Sequence, residues 1–417
     1  MPPHDDNEAL ASLAAPPSEP EHERPKTFRE MWPKDWRAYL CLLGGFLQMF
    51  ISWGYVNAFG TYASFYDSVL LPKADNLLMN LIGGTMCFVI LLLSFVVGRL
   101  VDAGHIGKVL FTGTILLGAG TFSLSLVNGD AGEGDGNYGG IWATQGFLTS
   151  LGMACHFVSS SQVVATWFID TKSFAVGVVA CGASVGGAVI STMARYLNQQ
   201  VGFNTASRHV ATLVLLLSAT TVLLCRPNPA HPRNPSPQWR WSTFWDSTAL
   251  RSPCFCWLSA ATFSIFLGFY PVFFNLEEWA SASGLAFRGP DRPQGLSPDA
   301  LETFALLSMM NGSSFVGRLL AAGIADHLGI YGALHVHAFV TAAASILLMA
   351  FWTTANTVGK AVAFVLLFGM FSGAVIGLPP ASMAFIIGKR DKLAQARLGQ
   401  RVGMMYSIAS LPALVGR

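Results

Sequence analysis

Residues 77–98 read LLMNLIGGTMCFVILLLSFVVG, and Arg99-Leu100-Val101-Asp102 follow at once. An apolar run of this kind makes roughly 33 Å of helix at 1.5 Å per residue, enough to cross the ~30 Å hydrocarbon layer of a bilayer. Comparable runs cover 38–65, 106–127, 140–167, 173–197 and 208–225, then 253–275, 301–325, 330–352 and 359–387. An eleventh begins near Gly399 and meets the last residue, Arg417, after about 19 residues, roughly 28 Å of helix. Hydrophobic residues make up 52% of the chain and charged ones 12%, against about 25% charge in ordinary soluble domains. The chain therefore reads as an all-α polytopic membrane protein, with the lipid bilayer as its first partner.

The same composition excludes several classes. A formal net charge of +2 with no basic stripe gives no footprint for nucleic acid. The seven cysteines fall mostly inside apolar runs, and only Cys254 and Cys256 lie close together, so neither a disulfide framework nor zinc spacing follows. His335 and His337 are two residues apart, which is not ligand spacing on one helix face. No GxxxxGK[ST] loop occurs, and no paired nucleophile and base stands inside the apolar runs. The expectation is a nonenzymatic protein without a cofactor, a metal site or catalytic residues.

The runs divide the chain into a tail over 1–36, a six-helix group over 37–225, a Pro- and Arg-rich linker over 226–251 and a second group over 252–417. The tail, rich in Pro, Glu, Ala and Ser and lacking an uninterrupted apolar core, reads as disordered and not as a secretory signal. Placing it in the cytosol puts seventeen Lys and Arg residues in cytosolic segments and six on the other side. The acidic loop with Asp130, Glu133 and Asp135 then lies outside, and the plasma membrane is the expected location. Two groups of six helices about a central linker is the arrangement of transporters built from parallel repeats.

A repeat is visible in two registers. Val97-Gly98-Arg99-Leu100 recurs as Val316-Gly317-Arg318-Leu319. Alternatively, Asp102 pairs with Asp326, each at the end of its helix and followed by glycines three apart, Gly104 and Gly107 or Gly329 and Gly332. The second register is preferred. It leaves Arg99 near the surface and sets Arg318 eight residues before Asp326, about 12 Å deeper along its helix.

The stretch Gly98-Arg99-Leu100-Val101-Asp102-Ala103-Gly104-His105-Ile106-Gly107-Lys108 resembles the signature of the major facilitator superfamily. Asn57-Ala58-Phe59-Gly60 with Tyr62, Thr166-Trp167-Phe168 with the glycines of Cys181-Gly182-Ala183-Ser184-Val185-Gly186-Gly187, and Asn311-Gly312-Ser313-Ser314-Phe315-Val316-Gly317-Arg318 resemble its monocarboxylate porter-like branch, especially the fungal members. The resemblance implies two six-helix bundles. By that count the last helix and a half are truncated or absent. It also implies secondary transport, with carriers of monocarboxylates, vitamins and exported secondary metabolites in the same branch. Asn57 and Ser314 stand where the animal lactate carriers have a lysine and an aspartate, so only Arg318 of that set is present.

The candidate cargo residues are Arg318, Asn57, Tyr62, His156, Asn311 and Ser314. An arginine deep in a membrane helix costs at least ~2.5 kcal/mol and is kept where it meets water, a partner or substrate. Its guanidinium suits a carboxylate, although it could instead hold a carbonyl between helices. His156 could carry protons or donate a hydrogen bond between helices, and Asn57 could read cargo or bond across helices. The gating candidates are Gly98, Arg99, Asp102 and Gly104. Through the resemblance, Asp102 is expected to face a helix N-terminus, here the start of the eleventh helix near 397–401. Gly98 and Gly104 would allow close packing and a turn. Gly182 and Gly186 have the spacing of close helix packing. Gly369, Gly373 and Gly377 leave one face bare before Pro379-Pro380, where the helix should bend. Glu277 and Glu278 are expected to be solvated at the outer end of helix seven.

The leading function is alternating-access transport of a small organic anion or metabolite, with export of a secondary metabolite given equal weight to uptake because 30 Phe and 11 Trp suit a bulky cargo. The alternatives are proton-coupled uptake of a monocarboxylate or vitamin, and a nontransporting receptor or inactive remnant.

Overall fold

The computed structural model describes residues 31–128, 134–231, 241–287, 296, 298–387 and 395–415. The tail over 1–30, Asp130 and Glu133 of the acidic loop, linker residues 232–240 and Arg417 lie outside them. Among the described residues eleven long helical rods follow in order: α1 (Trp36–Leu70), α2 (Leu77–Asp102), α3 (Ile106–Val127), α4 (138–165), α5 (Lys172–Val201), α6 (Phe203–Leu224), α7 (Pro253–Ala282), α8 (Thr303–His327), α9 (Gly332–Thr354), α10 (Val358–Ile387) and α11 (398–415). Eight of these, all but α4, α8 and α11, are long and apolar enough to cross a membrane, and the protein is a multi-pass membrane protein.

Local chemistry sets the ends. The Asp35 carboxylate accepts from the Arg37 amide at 2.9 Å and caps α1, while Thr357 does the same for α10 through Lys360. Gly202, at φ +76°, joins α5 to α6 in one residue, a conformation that a side chain would oppose. α10 breaks between Gly377 and Pro379, as the proline pair predicts. Its bare face is a packing groove: Gly369 lies on Met310 and Gly373 on Ser314, both of α8.

The surface is inverted relative to a soluble protein. Large apolar side chains such as Leu126, Leu223, Trp257, Phe339 and Met349 are exposed, while Gln48, Ser159, Asn311 and Arg318 are buried. One feature departs from an all-helical chain. Ala286–Phe287 and Leu301–Glu302 pair as two short parallel strands, β1 and β2, between α7 and α8.

Glycine decides how closely the helices approach. A Cβ on Gly182 would strike the Phe46 carbonyl, and one on Gly186 the Phe50 carbonyl, so the backbones of α1 and α5 are in contact. A Cβ on Gly317 would strike the Met370 carbonyl and fixes α8 against α10 in the same way.

Candidate functional site

At one end of the helices two carboxylates do the same work. Asp102, the last residue of α2, accepts from the Gly399 amide at 3.1 Å and the Gln400 amide at 2.8 Å, the first free N–H groups of α11. Asp326, near the end of α8, accepts from the Ser173 amide at 3.1 Å and the Phe174 amide at 2.7 Å, at the start of α5. Each carboxylate meets the positive end of a helix dipole and satisfies two donors that the helix cannot satisfy itself. Each clasp also joins a helix of α1–α6 to one of α7–α11. The Asp102 clasp is where the sequence motif placed it. Its counterpart at Asp326 matches the preferred repeat register.

Gly98 and Gly104 serve the first clasp by geometry. A Cβ on Gly98 would strike the Gly399 carbonyl, so α11 reaches Asp102 only because residue 98 has no side chain. Gly104 turns the chain out of α2 at φ +86°.

Arg99 departs from its expected surface position. It is buried, because the linker folds back over it and the Thr243 carbonyl accepts from its Nε at 3.2 Å. The same carbonyl accepts from Gln400 Nε2 at 3.0 Å, so residues 243–248 strap α2 to α11. Asp246 holds the strap, accepting from Arg401 Nε at 3.0 Å, from Arg397 Nη1 at 3.5 Å and from the Thr248 amide. Burial pushes its carboxyl up, but the Thr248 and Arg401 hydrogen bonds and both arginine charges outweigh this and hold it below the usual range. Sequence reasoning passed over Asp246, although it is the single acidic residue of the 226–251 linker.

A group held down in this way stabilises the docked strap above its free value, about pH 4, and loses that contribution as pH falls through its lower docked value. Trypsin cleavage within 226–251, taken relative to cleavage of a free peptide at the same pH because trypsin's own histidine titrates in this range, is therefore expected to be constant from pH 7 to 5. Asp246→Asn is expected to speed it about tenfold at neutral pH, from the loss of charge-assisted bonds. Equal rates for the variant and the wild type would show that the strap is not held by this residue.

Deeper in the molecule, four of the cargo candidates form one polar seam among α1, α5 and α8. Asn57 Nδ2 lies 3.4 Å from both Asn311 Oδ1 and the Ala183 carbonyl. Gly187 makes room, since a Cβ there would meet Asn311 Oδ1 at 2.7 Å and Asn57 Cβ at 2.9 Å. Ser184 Oγ and Ser314 Oγ are 3.2 Å apart, and Arg318 Nε donates to Ser314 Oγ at 3.2 Å. Arg318 Nη1 donates to the Ala180 carbonyl of α5 at 2.6 Å. In this conformation the guanidinium holds a backbone carbonyl across the two sets of helices.

The other two candidates lie elsewhere. Tyr62 stacks on Tyr55 at 5.7 Å, and Tyr66 of the same helix donates to Gln145 of α4 at 2.7 Å. His156 sits among α3, α4 and α6, with Nε2 2.9 Å from Ser218 Oγ, which is itself 2.7 Å from Thr114 Oγ1. It is not brought to the Arg318 seam.

The opposite end corrects the reading of Glu277. Its side chain is 1% exposed, not solvated, because α1 and α8 each bring a hydroxyl to it. Thr61 Oγ1 donates to Oε1 at 2.9 Å and Thr303 Oγ1 to Oε2 at 3.1 Å. Nearby, Gly60 lies against the Phe273 carbonyl, and Asn80 Nδ2 donates to Asn275 Oδ1 at 3.3 Å. The two sets of helices therefore touch at both ends around the buried seam.

Such a molecule, with inter-set contacts at both ends and a polar interior, suits alternating exposure of an internal site. The chain is 28% identical to the agnestins efflux protein AgnL12 of Paecilomyces divaricatus over 380 residues, covering 91% of this chain and 79% of the relative. It is 27% identical to the MFS-type transporter dbaD of Emericella nidulans over 381 residues, with 91% and 77% covered. It is 26% identical to the aspyridones efflux protein apdF of the same organism, also over 381 residues, with 91% and 70% covered. Residues 40–416 match the Major Facilitator Superfamily, and the chain belongs to that family of membrane transporters.

Proposed function

We propose that this transporter exports an organic metabolite from the cytosol by alternating access, with the Asp102 end facing the cytosol. The observation that carries the reading is the pair of equivalent clasps, Asp102 on α11 and Asp326 on α5. Both join α1–α6 to α7–α11 at the same end, and they can be released together if those sets rock as two bodies. Glu277, with Thr61 and Thr303, would be the corresponding contact outside. Export as the direction is supported by the similarity to the agnestins and aspyridones efflux proteins.

Arg318 is the proposed anion anchor of the open state. Rocking would part α5 from α8, release the guanidinium from the Ala180 carbonyl and free it to grip a cargo carboxylate in bidentate fashion. Asn57, Asn311 and Ser314 would supply the neutral contacts beside it.

The test is counterflow in proteoliposomes against a panel of carboxylates, flavins and lipophilic metabolites. Exchange of at least one compound is expected, and Arg318→Ala is expected to slow exchange of an anionic cargo about 10- to 100-fold through loss of charge-assisted bonds. If no compound exchanges, the transport reading loses its support. Exchange at the wild-type rate in the variant would remove Arg318 from the cargo site.

A further inference from the structure

Four aromatic side chains from four helices meet beside the polar seam. Trp53 of α1 stands edge-on to Phe157 of α4, with centroids 5.2 Å apart and planes at 85°. It is tilted at 56° against Phe266 of α7, at 6.5 Å. Tyr406 of α11 completes the circuit, 4.9 Å from Phe157 and 6.3 Å from Phe266. Two of the rings belong to α1–α6 and two to α7–α11. All four are buried, and Trp53 lies one turn before Asn57, so the circuit adjoins the Arg318 seam.

Three properties bear on what this circuit can do. First, two of its four contacts, Trp53 with Phe266 and Phe157 with Tyr406, cross between the two sets of helices that both clasps join, so these pairs part whenever the sets part. Second, the pairs are edge-on or tilted and none is stacked face to face. Edge-on pairing is a favourable arrangement, and it leaves the ring faces of the circuit unstacked on one another. Third, Tyr406, a buried ring, carries a hydroxyl among these ring edges. A buried hydroxyl is unfavourable without a partner, and a phenylalanine would fill the same space without that cost.

We propose that the circuit is the cargo platform, and that the cargo is a planar, fused-ring aromatic metabolite. It enters between Trp53 and Phe157 on one side and Phe266 and Tyr406 on the other. The Tyr406 hydroxyl donates to an acceptor on its polar rim. A flat ring restores the aromatic contacts that the opening sets lose, so cargo bridges the two sets and favours their closure. A saturated cargo of similar bulk presents no π face to these edges. The proposal rests on the transport reading above and specifies its cargo class.

The experiment uses the full chain in nanodiscs and proteoliposomes with two acids of equal charge, anthraquinone-2-carboxylate, which is planar with rim carbonyls, and adamantane-1-carboxylate, which is saturated and compact. Equilibrium binding is expected to favour the planar acid at least tenfold. Phe157→Leu and Phe266→Leu are each expected to weaken it at least fivefold and so to narrow its preference over the saturated acid. Tyr406→Phe, which keeps the ring, is expected to weaken the planar acid by a similar factor and guards against a leucine variant that does not fold. The proposal is overturned if the two acids bind equally, if neither binds, or if Tyr406→Phe and every folded leucine variant bind the planar acid as wild type does. If a panel compound exchanges while the planar acid does not bind, the cargo class fails and transport stands. If nothing binds or exchanges, both fail.

Discussion

Replacing Asp102 and Asp326 together with asparagine is expected to shift the transporter about a hundredfold toward the state open at that end. Each carboxylate accepts from two backbone amides at a helix start, Gly399 and Gln400 in one case and Ser173 and Phe174 in the other. Hydrogen bonds to a charged group contribute about 1.5–3 kcal/mol, and an asparagine carbonyl retains part of this without the charge–dipole attraction. A loss near 1.5 kcal/mol per clasp is a factor of about ten. The two clasps share no partner, so their effects should add. Spin labels on the exposed positions Lys108 and His327 would report the separation by double electron–electron resonance. The single variants should shift the distance distribution by about tenfold each. An unchanged distribution in the double variant would rule out the clasps as the locks of this end.

Gly182→Val is expected to abolish the native fold. A Cβ at that position already collides with the Phe46 carbonyl, and four residues on, Gly186 lies against the Phe50 carbonyl and Gly54. The opposing atoms are backbone, so no rotamer change relieves them. Even a single added methylene in a tight core costs about 1–3 kcal/mol, and valine adds three carbons at a helix crossing. Parting α1 from α5 would also break the Asn57 contact with Ala183 and so the seam beside Arg318. Gly268→Val is the matched control, because nothing lies within 4 Å of its Cβ position. The measurement is thermal aggregation in detergent by size-exclusion chromatography. Gly268→Val should match the wild type, and a Gly182→Val protein that also did so would overturn the close-crossing argument.

Periodic and local features were readable from residue types. Runs of uncharged residues such as 77–98 determine membrane spans, because the bilayer imposes a single length and a single polarity on every segment. The spacing of Gly182 and Gly186 determined a close crossing, since the four-residue interval puts both on one helix face. The motif around Asp102 pointed to the start of the eleventh helix, whereas Asp326 was matched to it only as a repeat position and its role at the start of α5 came from the structure.

Burial of isolated polar groups was decided elsewhere. Glu277 reads as a solvated acid at a helix end, and only Thr61, 216 positions earlier, and Thr303 make it a buried contact. Asp246 reads as one charge in a polar linker until Arg397 and Arg401 arrive from about 150 residues away. Asn57 meets Asn311 across 254 residues, and the circuit of Trp53, Phe157, Phe266 and Tyr406 draws on four helices. The sequence by itself determined a multi-pass helical membrane protein, eight of its spans, the tight glycine crossing and the Asp102 motif, because lipid and helix geometry act on neighbouring residues. Only the tertiary structure decided which charges are covered, where Arg318 finds its carbonyl and which rings meet, because each depends on the side chain that a distant helix delivers.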